Sequence, residues 1–211
     1  MRKGEETRER ILEIAEASVL AKGFGATSIE EIIAEAGITK SGFFYHFRDK
    51  NEMARALIVR YSEGNRKLMG SIFSRAEQLA DGEPLQTLMI GLKLFAETMA
   101  DLPSGHPGCL IASITYQERL FDREVVRLMA DTVRWWQKFF SDRIQSAAVR
   151  HGFVDTHEVE QLSRMIYCAV DGGIIMSRAL GDPTILPEQI LMVRNHIKLL
   201  FQPMQAARKA A

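Results

Sequence analysis

Hydrophobic residues recur along most of this chain at intervals of three and four positions, which is the spacing of one face of an α-helix. After residue 50 every long segment keeps this period, and no segment alternates between apolar and polar residues as a half-buried strand would. The pattern therefore predicts an all-α protein of about nine helices. The first stripe, between residues 5 and 22, consists of Ile11, Leu12, Ala15, Val19 and Leu20.

Residues 27–50 contain the most distinctive signals for helix ends. Ser28 and Glu31 have the spacing of a capping box, in which a serine oxygen accepts from a backbone N–H while the glutamate reaches back to the cap. Gly37 ends the apolar stripe that follows, because glycine adopts the left-handed conformation of a helix C-terminus at low cost. These signals predict a short helix. Its apolar stripe consists of Ile29, Ile32, Ile33 and Ala36.

A second short helix is predicted directly after this glycine. Thr39 is a suitable N-cap for Lys40–Phe47, and Phe43 and Phe47 lie four positions apart on one face. Asp49 then begins the next helix. Two short helices joined by a tight turn predict a helix-turn-helix, which places its second helix in the major groove of DNA. The spacing alone is equally compatible with an αα-hairpin that has an aromatic core.

The outer faces of the second short helix carry the candidate DNA contacts. If Phe43 and Phe47 point inward, the other side chains must face outward, where lysines would meet phosphates and hydroxyl and imidazole groups would donate hydrogen bonds. We expect Ser41, Gly42 and Phe44 to lie nearest the base edges. The residues predicted to contact DNA are Thr27, Ser28, Thr39, Lys40, Ser41, Gly42, Phe44, Tyr45, His46 and Lys50.

Glycines, prolines and acidic caps divide the rest of the chain into further helices. The sequence predicts a helix-turn-helix domain at residues 1–50, a larger helical domain at 51–204 and a frayed tail at 205–211. Asp155 would cap the penultimate helix, and Pro187 would begin the last one. The helices predicted after residue 50 span about 51–78, 84–101, 109–119, 122–151, 155–180 and 187–203.

Net charge does not point to a partner. The 211 residues include 27 Lys and Arg and 27 Asp and Glu, so overall charge attracts the chain neither to DNA nor to a membrane. Residues 1–52 hold eight basic and ten acidic side chains by count, and DNA binding must therefore depend on a local basic patch. In the sequence this patch comprises Lys40, His46, Arg48 and Lys50.

Cysteine usage and hydropathy exclude several other classes of protein. Cys109 and Cys168 are too far apart to suggest a metal site or a disulfide framework. No apolar segment suggests export or membrane insertion. We therefore expect a cytoplasmic protein that uses no cofactor and no metal.

One segment of the chain resembles the DNA-binding domain of the TetR family of bacterial regulators, and the resemblance extends over residues 8–58. The shared features are Thr27 before the second helix, the turn Ala36–Lys40, the aromatic segment Phe44–Phe47 and Lys50 on the fourth helix. Phe44 stands where the family more often has a tyrosine, so the hydroxyl of that residue is absent here. The neighbouring Tyr45 is expected to replace part of its role.

The resemblance implies that the protein forms a homodimer through its last two long helices, which pack as a four-helix bundle in this family. Two glycines in the middle of the penultimate helix would allow a partner helix to approach closely. Alternatively, the same apolar stripes pack inside one subunit. The residues predicted to form the dimer interface are Val159, Leu162, Ile166, Val170, Gly173, Ile190, Val193, Ile197 and Leu200.

The resemblance also implies that a small apolar or amphipathic effector binds in the second domain and changes the distance between the two reading helices. Large and adaptable side chains are candidates to line such a pocket, although a stripe of aromatic and methionine residues is also typical of plain core. The candidate pocket residues are Met89, Phe95, Met99, His106, Cys109, Trp135, Phe139, Met165, Tyr167 and Met176.

Cys109 carries a second hypothesis. Some TetR-like regulators have a Gly-Cys-Leu segment near this place, and in a few of them the thiol senses electrophiles or oxidants. The alternative is a buried structural cysteine that behaves as a small hydrophobe.

Two rival classes of function remain at this point. The five histidines show no metal or catalytic pairing, and no nucleophile elbow or phosphate loop is present, so the pattern indicates that the chain is not an enzyme. A helical interaction protein without DNA binding would leave the helix-turn-helix unexplained. The sequence therefore predicts a ligand-responsive transcriptional repressor that binds a palindromic operator as a homodimer.

Overall fold

A computed structural model describes the backbone of residues 3–151 and 156–210, and the side chains of residues 4–151 and 156–201. Within these residues the chain is all-α, as the sequence predicted, with nine α-helices and one short 3₁₀ turn at Glu118–Leu120. The helices are α1 (Lys3–Lys22), α2 (Ile29–Ala36), α3 (Lys40–His46), α4 (Lys50–Leu79), α5 (Pro84–Ala100), α6 (Leu110–Thr115), α7 (Arg123–His151), α8 (Thr156–Leu180) and α9 (Ile185–Ala210).

Two helix ends differ from the sequence prediction. The segment predicted as one helix at 109–119 is α6 followed by the 3₁₀ turn. The last helix begins at Ile185 rather than Pro187 and continues to Ala210, through the predicted tail, where residues such as Ala, Gln, Arg and Lys favour helix. The predicted cap at Asp155 lies outside the described residues.

The chain divides into two compact units that do not coincide with the predicted boundary at residue 50. The first unit contains Met1–Asn65 and Pro107–Thr132, and the second contains Arg66–His106 and Val133–Ala211. The division cuts α4 and α7, because each long helix contributes one end to each unit. The helix-turn-helix therefore shares its unit with a stretch of chain that comes much later in the sequence.

This later stretch braces the first unit through specific contacts. The side-chain oxygen of Gln117 accepts a hydrogen bond from the backbone N–H of Gly25 at 2.7 Å. The rings of Phe24 and Phe121 lie 4.4 Å apart between centroids. Asp122 forms an ion pair with a guanidinium of α4 and also accepts from the first backbone N–H groups of α7. The brace thus joins α6 and α7 to the loop that precedes α2.

In the second unit, α9 packs against both α8 and α5. A Cβ atom at Gly173 would lie 3.1 Å from the Cα of Leu186, so this glycine allows α8 to approach the start of α9. The Nε of Arg194 on α9 donates to the carbonyl oxygen of Met89 on α5 at 2.9 Å. The glycine in α8 therefore serves packing within the subunit.

This packing corrects the predicted dimer interface. Seven of its nine residues are buried between helices of the same subunit, and only Val170 and Leu200 are half-buried. The alternative interpretation of the stripes, packing inside one subunit, is the one that the structure shows. The buried residues are Val159, Leu162, Ile166, Gly173, Ile190, Val193 and Ile197.

The opposite faces of α8 and α9 carry exposed aliphatic side chains. Ile175 is 47% exposed, Met192 is 63% exposed and Leu199 is 60% exposed. Cys168 is also exposed on α8. In the part of the chain that the structure describes, no helix is both long and apolar enough to span a membrane.

Candidate DNA-binding interface

The capping box predicted at the start of α2 is present. The backbone N–H of Glu31 donates to the Ser28 hydroxyl oxygen at 3.1 Å, and the backbone N–H of Ser28 donates to the Glu31 carboxylate at 3.2 Å. The hydrogen bond that the Lys22 ammonium donates to the Glu31 carboxylate at 2.6 Å is the main reason that the pKa of Glu31 is lowered, and the bonds of the capping box lower that pKa further. The box fixes where α2 begins and therefore where the turn after it falls.

The turn between α2 and α3 depends on Gly37. Its φ of 62° and ψ of 36° are left-handed, and its N–H donates to the carbonyl of Ala34 at 3.2 Å. The next N–H, from Ile38, donates to Ile33 at 3.2 Å. A Cβ atom at Gly37 would meet nothing within 4 Å, so any other residue would incur only the backbone cost of this conformation.

The orientation of α3 is set by a cap and two buried rings. The hydroxyl oxygen of Thr39 accepts from the N–H of Gly42 at 3.0 Å, which begins the helix. Phe43 and Phe47 are 0% and 1% exposed, and their ring centroids are 5.8 Å apart. Because these two rings anchor one side of α3, the opposite side is held towards solvent.

The outer side of α3 presents aromatic, hydroxyl and cationic groups together. Phe44 is 42% exposed and Tyr45 is 83% exposed, although aromatic rings are normally covered in an isolated subunit. Lys40 and Ser41 are also exposed. Large rings beside free hydroxyls and an ammonium group suit a surface that meets base edges and phosphates.

Arg48 adds a cation just beyond the C-terminal end of α3; it belongs to the predicted basic patch but not to the residues predicted to contact DNA. Its side chain is 78% exposed, and its Nε lies 3.4 Å from the carboxylate of Asp49. Arg48 follows Phe47, whose backbone is extended, so the helical period of α3 does not reach it, and local basic charge is the sequence signal that includes it.

Two of the predicted DNA contacts serve the fold instead. The side chain of Thr27 is fully buried, and its hydroxyl donates to the carbonyl of Gly23 and lies 3.0 Å from the hydroxyl of Ser18. The ammonium of Lys50 donates to the carbonyl of Phe24 at 2.7 Å and lies 4.4 Å from the centroid of the Phe24 ring. Burial lowers the pKa of Lys50. Both side chains hold the loop before α2.

The hydroxyls of Ser28 and Thr39, two other predicted DNA contacts, can each still donate one hydrogen bond. In Ser28 and Thr39 the oxygen accepts from a backbone N–H of the following helix, which leaves the hydroxyl hydrogen available to donate to a phosphate. Gly42 has little room for a side chain, because a Cβ atom there would lie 3.3 Å from the Thr39 hydroxyl oxygen. These positions stay predictions as DNA contacts.

The imidazole ring of His46 favours its neutral form when DNA is absent. Burial is the main reason that its pKa lies below the usual value, and the charge of Arg8 lowers the pKa further. Its ring stacks edge-on against Tyr45, with the centroids 5.0 Å apart. A nearby phosphate would favour the protonated form.

The acidic excess of the first unit is partly neutralised inside it. Arg60 on α4 forms ion pairs with three carboxylates of α1, namely those of Glu9, Glu13 and Glu16. The pKa of Glu16 is raised by burial, which the neighbouring guanidinium only partly opposes. A net acidic count therefore does not require an acidic reading surface.

The predicted effector residues do not form a single group. Phe95 and Tyr167 belong to one aromatic cluster of the second unit, in which both contact Trp136, a residue outside the predicted set, at centroid distances of 6.1 Å and 6.4 Å. Met176 is 48% exposed on α8. Cys109 belongs to the first unit, with the helix-turn-helix.

The other predicted effector residues lie near this aromatic cluster or in the core. Met89 and Met99 are buried on α5. Trp135 is half-buried, 5.2 Å from the Phe139 ring and below the guanidinium of Arg66. His106 and Met165 are half-buried in the same unit, and burial, more than any nearby charge, lowers the pKa of His106.

Cys109 has a structural position in the first unit. It is 9% exposed, and its sulfur accepts from the N–H of Ala112 at 3.4 Å as the N-cap of α6. The hydroxyl of Tyr61 donates to the same sulfur at 3.9 Å. This geometry accords with the structural alternative stated above. Among the described residues, no group of three or more His, Cys, Asp or Glu side chains could hold a metal.

Comparison with known proteins identifies the family of DNA-binding domains to which this interface belongs. Residues 11–57 match the family model described as bacterial regulatory proteins, tetR family. The chain belongs to the TetR family. The matched residues run from α1 into α4 and contain the complete helix-turn-helix, so the TetR-type domain is the surface described above.

Two of the similar proteins match nearly the whole chain, and a third matches less than half of it. An uncharacterized HTH-type transcriptional regulator of Bacillus subtilis, YxaF, is 24% identical over 199 residues, which is 93% of this chain and 96% of that protein. The HTH-type transcriptional repressor BepR of Brucella suis is 32% identical over 93 residues, 43% of this chain and 44% of BepR. A TetR-family regulator from Agrobacterium tumefaciens has the same fold, with a TM-score of 0.75 at 17% identity over 92% of this chain and 98% of that one.

The protein is therefore a TetR-family DNA-binding transcriptional regulator. Membership in this family points to a regulator rather than an enzyme, and TetR-family regulators bind operator DNA and act as dimers. Within the matched residues, α3 is the second helix of the helix-turn-helix.

Proposed function

We propose that this TetR-family protein is a homodimeric repressor that binds a palindromic operator through α3 and leaves it when a small molecule binds the second unit. The observation that carries the proposal is the exposed face of α3, where Phe44 and Tyr45 stand uncovered beside Lys40 and Ser41. Bacterial operators lie in the cytoplasm, so the protein would act there.

The contacts would divide by chemistry along α3. Lys40 at its start and Arg48 just beyond its end would bind phosphates, assisted by Tyr45 and His46 and by the hydroxyls of the two N-caps. Ser41 and Phe44, with the close backbone of Gly42, would lie at the base edges, where Phe44 could contact a thymine methyl group. Phosphate contacts would give affinity, and these two side chains would give sequence preference.

The dimer would form through the exposed faces of α8 and α9 rather than through the buried stripes. Ile175, Met192 and Leu199 supply aliphatic surface that water would otherwise cover. A Cβ atom at Gly172 would meet nothing within 4 Å, which leaves a shallow place on the same helix for a partner side chain. A twofold dimer would pair two α3 helices with the two halves of a palindrome.

Binding to genomic DNA tests the proposal directly. Full-length protein would be incubated with fragmented genomic duplex at low ionic strength, and the retained fragments would be sequenced and footprinted. We expect a protected palindrome whose half-sites lie about 10 base pairs apart or a multiple of that spacing. Failure to retain any fragment, with no effector present, would contradict the proposal.

The effector role would be tested on the same operator. A small apolar or amphipathic compound that raises the melting temperature of the protein should also release it from DNA. The electrophile hypothesis for Cys109 makes a separate prediction, because Cys109→Ser should then abolish release by electrophiles while leaving release by other compounds intact. An unchanged response to electrophiles would remove Cys109 as a sensor.

A further inference from the structure

One cavity of the second unit has a half-buried cation in its wall. The cavity has a volume of about 360 Å³, within the range of small-molecule sites. It lies where the end of α4, the start of α5 and the second half of α7 meet. Its lining residues are Glu77, Gly82, Pro84, Thr87, Arg143 and Ser146.

Arg143 is held in place by aromatic rings rather than by a carboxylate. Its guanidinium carbon lies 3.6 Å from the centroid of Phe139 and 4.6 Å from that of Phe73. One Nη donates to the carbonyl oxygen of Phe139 at 2.9 Å. The Nε is buried and has no hydrogen-bond partner among the described residues. A guanidinium has five donors, so most of its hydrogen-bonding capacity remains unused.

The nearby acids do not neutralise this charge by contact. Asp142 forms its ion pair with Lys138 instead, at 2.9 Å. Glu77 is exposed and, within the described part of the chain, forms no ion pair with Arg143. Burial therefore prevails over both carboxylates and lowers the pKa of Arg143. A half-buried charge of this kind is usually paired, and the open space beside it is where a partner would fit.

We propose that this cavity binds a small organic monocarboxylate, with its carboxylate against the guanidinium of Arg143. A planar guanidinium matches a carboxylate with two parallel hydrogen bonds, and the rings of Phe73 and Phe139 that contact the guanidinium keep the fork rigid. Glu77 in the wall would repel a second negative charge, which favours a monoanion over phosphate or a dicarboxylate.

Two hydroxyls would contribute to the other end of the ligand. Thr87 donates to the carbonyl oxygen of Glu83 at 2.9 Å, and Ser146 donates to that of Asp142 at 2.8 Å. Their oxygen lone pairs stay free to accept, so a ligand with a hydroxyl or amino group would gain hydrogen bonds that a plain acid would lack.

Binding at this cavity can be measured without DNA, whereas its role as the effector site depends on the proposed function. Isothermal titration calorimetry of the full-length protein would use sodium acetate, benzoate and 3-phenylpropionate, with benzamide as the neutral equivalent of benzoate and inorganic phosphate as the multivalent anion. We expect saturable binding of at least one monocarboxylate, and weaker binding of benzamide and phosphate.

Variants separate the cavity from general charge effects. Arg143→Gln should weaken binding of the best carboxylate by about tenfold or more, which is the loss of one or two charge-assisted hydrogen bonds. Arg143→Lys should weaken binding less. The matched control is Arg75→Gln, an exposed arginine of α4 in the same unit, which should bind as wild type.

Glu77→Gln provides a test that does not depend on whether the Arg143 variants fold, because Glu77 is exposed. Removing its negative charge should tighten carboxylate binding. Absence of saturable binding by all three monocarboxylates, equal binding of benzamide, or an unchanged affinity in Glu77→Gln would overturn the site. Binding that leaves the operator complex intact would support the site and contradict only its effector role.

Discussion

Two exposed surfaces of this protein differ in the chemistry that they offer to a partner. The outer face of α3 combines two aromatic rings, a serine hydroxyl and a lysine ammonium. The outer faces of α8 and α9 offer aliphatic side chains such as Ile175, Met192 and Leu199. The first suits a charged, hydrated polymer, and the second suits a surface like itself.

The two surfaces are also held in different ways. Two caps, one glycine turn and two buried rings within about twenty residues set the direction of α3. The outer faces of α8 and α9 are instead the sides of these helices that stay uncovered once α9 has packed on α8 and α5. A short local motif thus defines the DNA-binding face, whereas long-range packing defines the candidate dimer face.

Replacing adjacent phenylalanines should give the largest contrast. Phe43→Ala removes a fully buried ring and should lower the free energy of unfolding by about 3–5 kcal/mol. Phe44→Ala should change it by about 0.5 kcal/mol or less, since that ring is exposed, yet should alter which operator sequences are preferred. Chemical denaturation and a binding assay over a randomised duplex library measure the two effects. Equal destabilisation by both variants would show that α3 is not anchored as described.

Charging the aliphatic face should separate the subunits. Ile175→Arg combined with Met192→Arg should convert a dimer to a monomer in sedimentation velocity. Operator affinity should fall by about a hundredfold or more, because only one half-site can then be bound by each molecule. Val149→Arg is the matched control, as it charges an aliphatic side chain of α7 that is 62% exposed. A dimer that survives the double change would place the interface elsewhere.

Lys40 at the start of α3 and Lys50 at the start of α4 should behave oppositely. Lys40→Met should weaken binding to all duplexes and reduce the slope of log affinity against log salt by about two for a dimer. Lys50→Met should leave that slope unchanged and lower the free energy of unfolding by about 1 kcal/mol, because it loses a hydrogen bond and a ring contact to Phe24. If Lys50→Met flattens the salt slope as much as Lys40→Met does, the structural role of Lys50 is wrong.

The smallest expected effect is a pH dependence from His46. Its pKa in the free protein lies below the usual value, so the ring is neutral at pH 7, and contact with a phosphate would raise that pKa. Proton uptake then accompanies binding, and operator affinity should increase as the pH falls from about 7 towards the lowered pKa. His46→Gln should remove this increase. Fluorescence anisotropy across that range, with identical salt, makes the measurement.

The same His46 pKa has an opposite consequence for stability. A histidine whose pKa is lowered by folding favours the neutral form, so its contribution to stability is present above the unfolded pKa of about 6.5 and is lost as the pH falls through the folded value. Acid should therefore weaken the free protein slightly while it strengthens the complex. His46→Gln should reduce both trends.

Local signals in the sequence were sufficient to place the two short helices and the turn between them. Ser28, Gly37 and Thr39 act through bonds to residues three or four positions away, so their spacing alone identifies the ends of α2 and α3. The all-α class followed equally well from periodicity. Family resemblance was needed to distinguish this unit from an ordinary αα-hairpin.

Long-range contacts explain the predictions that failed. Thr27 and Lys50 have the residue types of phosphate ligands, but the partners that bury them, Ser18 and Phe24, are known only from the fold. A stripe of apolar residues such as that of α8 indicates that one face of the helix is buried, but it does not indicate which neighbouring helix covers that face. For the same reason Arg143 gave no sequence signal, because its importance comes from rings and a cavity on other helices.

The brace formed by Gln117, Phe121 and Asp122 bears on how hybrid regulators should be made from this protein. A chimera that joins residues 1–50 to another sensor would separate the loop at Gly25 from the side chain that accepts its N–H. Transplanting the first unit intact requires two stretches of sequence, with Pro107–Thr132 carried along. Swaps that keep both stretches should yield soluble, operator-competent hybrids more often than swaps at the motif boundary.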